Sequence, residues 1–170
     1  YSVTLNHSTW SYPIQVLFQM PTGNDASTDS GFRDTEKIAH ILLYGTASSH
    51  WSSGADGIGF KTIRTDTGAQ NLKFVTYDAQ AAEVVTTGTF AFSQSTWYHV
   101  AAVRISGTIT FYVDGVSKGS GTNDKTLEDG ADGGLSFGEG LGGNNDLNGH
   151  LDAIRVTKGV GRYTANFTVP

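Results

Sequence analysis

The chain has 170 residues, 22 of them Gly, with 3 Pro, 1 Met and no Cys, and its 11 Lys+Arg against 16 Asp+Glu leave a net charge of −5. That length suits one domain with a sizeable core. The composition excludes disulfides and Cys-based metal or thiol chemistry; no basic stripe invites nucleic acid, no run approaches ~18 apolar residues for a membrane span, and the Gly, Thr, Ser and aromatic content disfavours long helices.

Strand-like runs follow one another from the start. Ser2 to Leu5 alternates briefly. Tyr12 to Met20 is apolar on both faces, as a strand inside a sandwich would be. Ile38 to Tyr44, Gly57 to Arg64, Leu72 to Tyr77 and the short Thr89 to Phe92 come next. Asp78 to Glu83 is compatible with a helix but too short to form a useful one. Trp97 to Ile105 and Thr108 to Val113 form the clearest hairpin, joined at Ser106-Gly107. In its second strand Ile109, Phe111 and Val113 share one face, and Thr108, Thr110 and Tyr112 share the other. Leu135 to Phe137 and His150 to Val156 complete the set.

Long polar segments separate these runs: Pro21 to Asp34, Thr46 to Asp56, Gly119 to Gly134 and Gly138 to Asn148. Rich in Gly, Ser, Asn and Asp, they read as surface loops. Strands recurring with turn chemistry, and with no βαβ alternation, predict an all-β, two-sheet antiparallel β-sandwich or a barrel. The chain opens at Tyr1 without a basic and apolar leader, so no signal peptide is read. The expectation is a single domain over 1–170, processed out of or carried within a longer protein.

The run Trp97-Tyr98-His99-Val100-Ala101, followed by Tyr112-Val113-Asp114-Gly115, resembles the W-x-H-V-A … Y-x-D-G signature of laminin-G-like, concanavalin A-like jelly rolls. Leu135-Ser136-Phe137-Gly138 and Gly149 to Val156 (GHLDAIRV) are similar to the family's later strands. Arg162 to Pro170 (RYTANFTVP) is similar to an ending frequent in domains on tailed-phage virion proteins and bacterial surface proteins. The resemblance implies a jelly-roll sandwich from Thr96 onward by motif, and from Tyr1 to Ala91 by architecture. It also implies a location on a virion surface, on the capsid or a tail appendage such as a fibre, or alternatively on a bacterial cell surface.

The signature residues have physical roles of their own. Asp114-Gly115 after an alternating strand is a type I′-like turn signal. Trp97 is expected to fill core volume at the start of a buried strand. Asp152 and Arg155, three residues apart, are expected on opposite faces of their strand, each able to tie down a loop or an end segment. Tyr163 and Phe167 are expected to pack the final segment back on the sandwich.

Chemistry is harder to place. A glycosidase needs two carboxylates a set distance apart on the substrate face. The chain has only Glu36, Glu83, Glu128 and Glu139, with no E-x-D-x-x-E pattern, so no catalytic residue is assigned and the domain is read as non-enzymatic. No G-x-S-x-G is present. His99 reads as a packed or backbone-bonded strand residue, and His7, His40, His50 and His150 show no zinc spacing.

No cofactor is required by any motif. Calcium is the metal that acidic Gly-rich loops would take, through Asp124, Asp129 and Asp132, although no EF-hand spacing is present. Carbohydrate binding is the leading reading. Trp51 stands in a polar loop with Asp56 after it, and Asn144, Asn145 and Asp146 offer hydroxyl-reading groups on another loop. Capping of the sandwich end or a subunit contact is the competing role for Trp51; Trp10 is equally ambiguous. The expected partners are glycans or virion proteins, with a homo-oligomer allowed. The alternative is a purely structural virion protein that packs on itself or on a neighbour.

Overall fold

The computed structural model describes residues 12–19, 36–45, 57–65, 70–78, 81–86, 96–123, 134–138, 150–157 and 159–170. Ten strands run through them: β1 (Tyr12–Gln19), β2 (Glu36–Gly45), β3 (Gly57–Thr65), β4 (Gln70–Asp78), β5 (Ala81–Thr86), β6 (Trp97–Ile105), β7 (Thr108–Val113), β8 (Val116–Thr122), β9 (Gly134–Phe137) and β10 (His150–Val156). They form two five-stranded sheets, ordered β10-β1-β6-β7-β8 and β5-β4-β3-β2-β9, and every pairing is antiparallel. This is the expected two-sheet jelly roll. Sequence neighbours that pair with strands distant in the chain, β1 with β6 and β10 above all, give the fold its long-range wiring.

Local chemistry explains the β6–β7–β8 meander. Ser106 and Gly107 have φ of 47° and 76°, and Asp114 and Gly115 have 48° and 76°. Both are two-residue turns with positive φ at each central position, whose twist suits the flanking strands. Asp tolerates that region better than most residues, and Gly adopts it without strain.

β6 and β7 are buried on both faces. Val100 and Ala102 share a face with Ile109, Phe111 and Val113, and all five are buried together with Leu72 and Phe74 of β4. This is the face toward the second sheet. Ala101, Val103 and Tyr112 lie on the opposite face and are buried beneath Tyr163 and Phe167 of the C-terminal segment. Thr108 is exposed and Thr110 half-buried, in keeping with Thr on the outer side.

Two strand assignments differ from expectation. Ala81–Thr86 is a strand, where Asp78 to Glu83 had helix-compatible residues. It pairs with β4 from Asp78↔Ala81 to Lys73↔Thr86. Val84 and Val85 favour a strand, and pairing satisfies the β4 backbone that an isolated helical turn would leave open. Val116–Thr122 is also a strand, although its Gly119 onward read as loop. Its residues are mostly exposed, so the apolar alternation that marks a strand is missing; the turn at Asp114-Gly115 and the β7 ladder place it instead. The expected strands at Ser2 to Leu5 and Thr89 to Phe92 lie outside the described residues.

Arg104 points into the side shared with Ile109 and is only 1% exposed. Its Nε donates to the Asn123 carbonyl at 2.8 Å, and the Asn123 N–H donates to the Gly107 carbonyl at 2.6 Å. Together these two bonds tie the end of β8 to the β6–β7 turn.

Candidate functional site

His99, Tyr112, Asp114 and Gly115 of the signature converge at one place, where the β7–β8 turn meets the C-terminal segment. The Asp114 carboxylate accepts a hydrogen bond from the His99 N–H at 2.8 Å, and the Asp114 N–H donates to the His99 carbonyl at 2.8 Å. The Phe167 N–H donates to the Gly115 carbonyl at 2.9 Å, and the Asn166 side-chain oxygen accepts from the Ser117 N–H at 2.9 Å. A Cβ at Gly115 would collide with the Phe167 carbonyl oxygen. The Tyr163 and Phe167 rings stack at 3.4 Å and 6°, and His99 meets their edges at 6.4 and 5.5 Å. Tyr112 lies beside both rings.

This arrangement is a latch. Docking the last segment on the outside of the first sheet accounts for the His and final Ala of W-x-H-V-A, for Y-x-D-G, and for the Tyr, Asn and Phe of the final R-Y-T-x-N-F-T-x-P. The expectation that Tyr163 and Phe167 pack back on the sandwich is met. Burial holds the His99 imidazole below its ordinary range, against the opposing pull of Asp114 and of the histidine's own backbone. Its Nδ1 is buried without a hydrogen-bond partner. Burial pushes the Tyr112 hydroxyl up. The imidazole joins the latch through its edge contacts with the Tyr163 and Phe167 rings.

The second group of residues is open to solvent. Trp97 does not fill the core: it is 45% exposed, because it sits at the first position of β6, beyond the reach of the segment that covers His99 and Ala101. Its ring lies 6.3 Å from that of His150 on β10, at 53°.

Asp152 and Arg155 are also placed differently from the alternation rule. They stand opposite Leu17 and Gln15, which are two residues apart on β1 and so share a face. The register slips between those pairs, and Ala153 has φ of 49°. An extra residue at this bulge resets the alternation, so Asp152 and Arg155 lie on the same face. The Asp152 carboxylate accepts from the Ala153 N–H at 2.7 Å, bracing the bulge rather than a distant loop. Nothing in the sequence marks Ala153 for a bulge, since it is neither Gly nor Asn.

The predicted glycan residues Trp51, Asp56, Asn144, Asn145 and Asp146 lie outside the described residues. So do the calcium candidates Asp124, Asp129 and Asp132, together with Trp10, His7, His50, Glu128 and Glu139. His40 and Glu36 fall on β2 and Glu83 on β5, with their side chains outside the described set. Among the described residues no group of three His, Asp or Glu side chains is placed to hold a metal ion, and no helix is long and apolar enough to cross a membrane.

Residues 37–160 match the family described as the concanavalin A-like lectin/glucanases superfamily, and the chain belongs to it. No curated protein matches the sequence. Among solved structures it is similar to a heptameric SAP-like pentraxin from Limulus polyphemus, with a TM-score of 0.58 and 16% identity over 92% of this chain and 67% of that one. It is also similar to tailspike protein 2 of an Escherichia coli O157:H7 bacteriophage, with a TM-score of 0.59 and 12% identity over 92% of this chain and 20% of the tailspike. A third likeness is to domain 4 of AbnA, a GH43 extracellular arabinanase from Geobacillus stearothermophilus, in complex with arabinotriose. There the TM-score is 0.54 and the identity 17%, over 91% of this chain and 63% of that one. At these identities the likenesses establish the fold.

Proposed function

We propose that this domain is a non-catalytic glycan-binding module displayed on a virion surface, as a capsid decoration or part of a tail appendage. The observation that carries the reading is the family match over residues 37–160, to a superfamily of lectins and glucanases. The fold's likeness to a phage tailspike and to an arabinotriose-bound domain supports the location and the ligand class. The scarcity of glutamate, and the use of Asp114 and His99 in the latch, support a module without chemistry of its own. Trp51, Asp56, Asn144, Asn145 and Asp146 are its proposed ligand contacts, with Trp51 as a stacking platform.

The test is a glycan array on the intact chain, followed by product analysis of every glycan retained. Binding without turnover is the expected result, and Trp51→Ala weakens it by about tenfold, the size of a lost stacking contact. Turnover would make the domain an enzyme. Failure to bind any glycan would leave packing on virion proteins or on copies of itself as its role.

A further inference from the structure

Among the described residues, the outer face of the first sheet is covered over one half. The C-terminal segment lies over β6 and β7, through contacts of Tyr163 and Phe167 with Ala101, Val103, Tyr112 and His99. On the β10 side of the same face, His150, Asp152 and Arg155 are exposed, and so is Trp97 at the adjoining end of β6. The register sets these positions in rows. Trp97 and His150 flank Gln19, His99 and Asp152 flank Leu17, and Ala101 and Arg155 flank Gln15. Successive rows on one face are about 7 Å apart and neighbouring strands about 5 Å.

The geometry points to this open half as a sugar-binding shelf, built from residues other than Trp51 and its proposed companions. The inference rests on the glycan-binding reading and adds a place for it. An exposed indole supplies a flat surface for the apolar face of a sugar ring. His150, Asp152 and Arg155 bring a donor-acceptor imidazole, an acceptor carboxylate and a donor guanidinium to the same side. That mixture suits hydroxyls, which donate and accept at once.

Other occupants fit less well. One aromatic ring among charges provides far less apolar area than the ~1,200 Å² of a stable protein interface. A carboxylate in the patch and a net charge of −5 oppose nucleic acid. The bulge at Ala153 is what assembles the shelf, because without it Asp152 and Arg155 would point to opposite sides.

The experiment follows the Trp97 indole N–H and the His150 amide by NMR in the 15N-labelled full chain. Arabinotriose, xylotriose, cellotriose and every glycan retained on the array are titrated in. Trp97→Ala and His150→Ala are compared with Trp51→Ala, and His150 is exposed enough that its variant tests the shelf without loss of core. Shifts at both reporters that persist in Trp51→Ala, with about tenfold weaker binding in Trp97→Ala and a smaller loss in His150→Ala, are the expected result. Binding that leaves both reporters unmoved and both variants unimpaired overturns the shelf while keeping the glycan-binding function. No binding to any of these sugars overturns both. Reporter shifts that depend on protein concentration rather than on sugar overturn the shelf and assign the face to a second copy of the chain.

Discussion

Substituting Gly115 by Ala separates two effects that the same residue carries, and Gly159→Ala provides the comparison. Both glycines have positive φ, 76° and 86°. Forcing Ala into that region costs about 1–2 kcal/mol at either site. At Gly159 a Cβ meets nothing within 4 Å, so that is the whole effect. At Gly115 the new Cβ runs into the backbone oxygen of Phe167, which has no rotamer to escape by. The segment must move, and the hydrogen bond from the Phe167 N–H to the Gly115 carbonyl is lost with it, about 1 kcal/mol. Part of the packing of Phe167 against Tyr112 and His99 goes too, about 1–2 kcal/mol for a half-buried ring. Gly115→Ala should therefore cost about 3–5 kcal/mol, some 2–3 kcal/mol more than Gly159→Ala. Urea titration followed by circular dichroism measures both. In a chain of this size each 1 kcal/mol lowers Tm by about 2–4 °C. Trypsin at the exposed Arg162 reports whether the segment has lifted, since cleavage there should accelerate in Gly115→Ala alone. Equal losses in the two variants, with unchanged cleavage, would refute the idea that the close approach of Phe167 is what demands glycine at position 115.

Two other predictions concern the same latch. Asp114→Ala removes the acceptor for the His99 N–H and places Ala at φ 48°, for a loss of about 2–3 kcal/mol by urea titration, whereas Asp114→Asn keeps an acceptor and tolerance of positive φ and should lose under about 1 kcal/mol; equal effects would show that the side-chain bond is immaterial. The lowered His99 pKa sets a pH dependence with a definite sign. Above the unfolded value of about 6.5 the imidazole is neutral in both states and contributes no slope; as pH falls below it, the unfolded chain takes up the proton first and stability drops, until pH passes the folded value. His99→Gln should flatten the stability curve of the wild type below pH 6.5, and parallel curves would exclude His99 as the source.

The residues most visible in the sequence turned out to be those fixed by local backbone rules. Ser106-Gly107 and Asp114-Gly115 announce their turns because few residues accept positive φ at two successive positions. The strands from Trp97 to Ile105 and from Thr108 to Val113 were legible to the residue, because a tight turn fixes both register and ends. The candidate site was less legible. The indole of Trp97 looks identical in sequence whether a partner covers it or not. The shared face of Asp152 and Arg155 depends on a bulge at an unremarkable alanine. Arg104 is a charged residue near the end of β6, yet it is buried, with its Nε on the Asn123 carbonyl 19 residues on.

The sequence by itself determined the all-β class, the family signature and the turns, since these rest on residue type and short spacing. Tertiary structure decided the rest. It made β5 and β8 strands by offering them a ladder to join, β8 with no apolar alternation of its own. It also decided which side of the first sheet is closed, by bringing Phe167 onto Gly115 and Tyr163 onto Tyr112, some 50 residues away in the chain. Burial is a property of what covers a face, and in a jelly roll the cover comes from a distant part of the chain. The same segment that closes one half of the outer face leaves Trp97, His150, Asp152 and Arg155 open on the other.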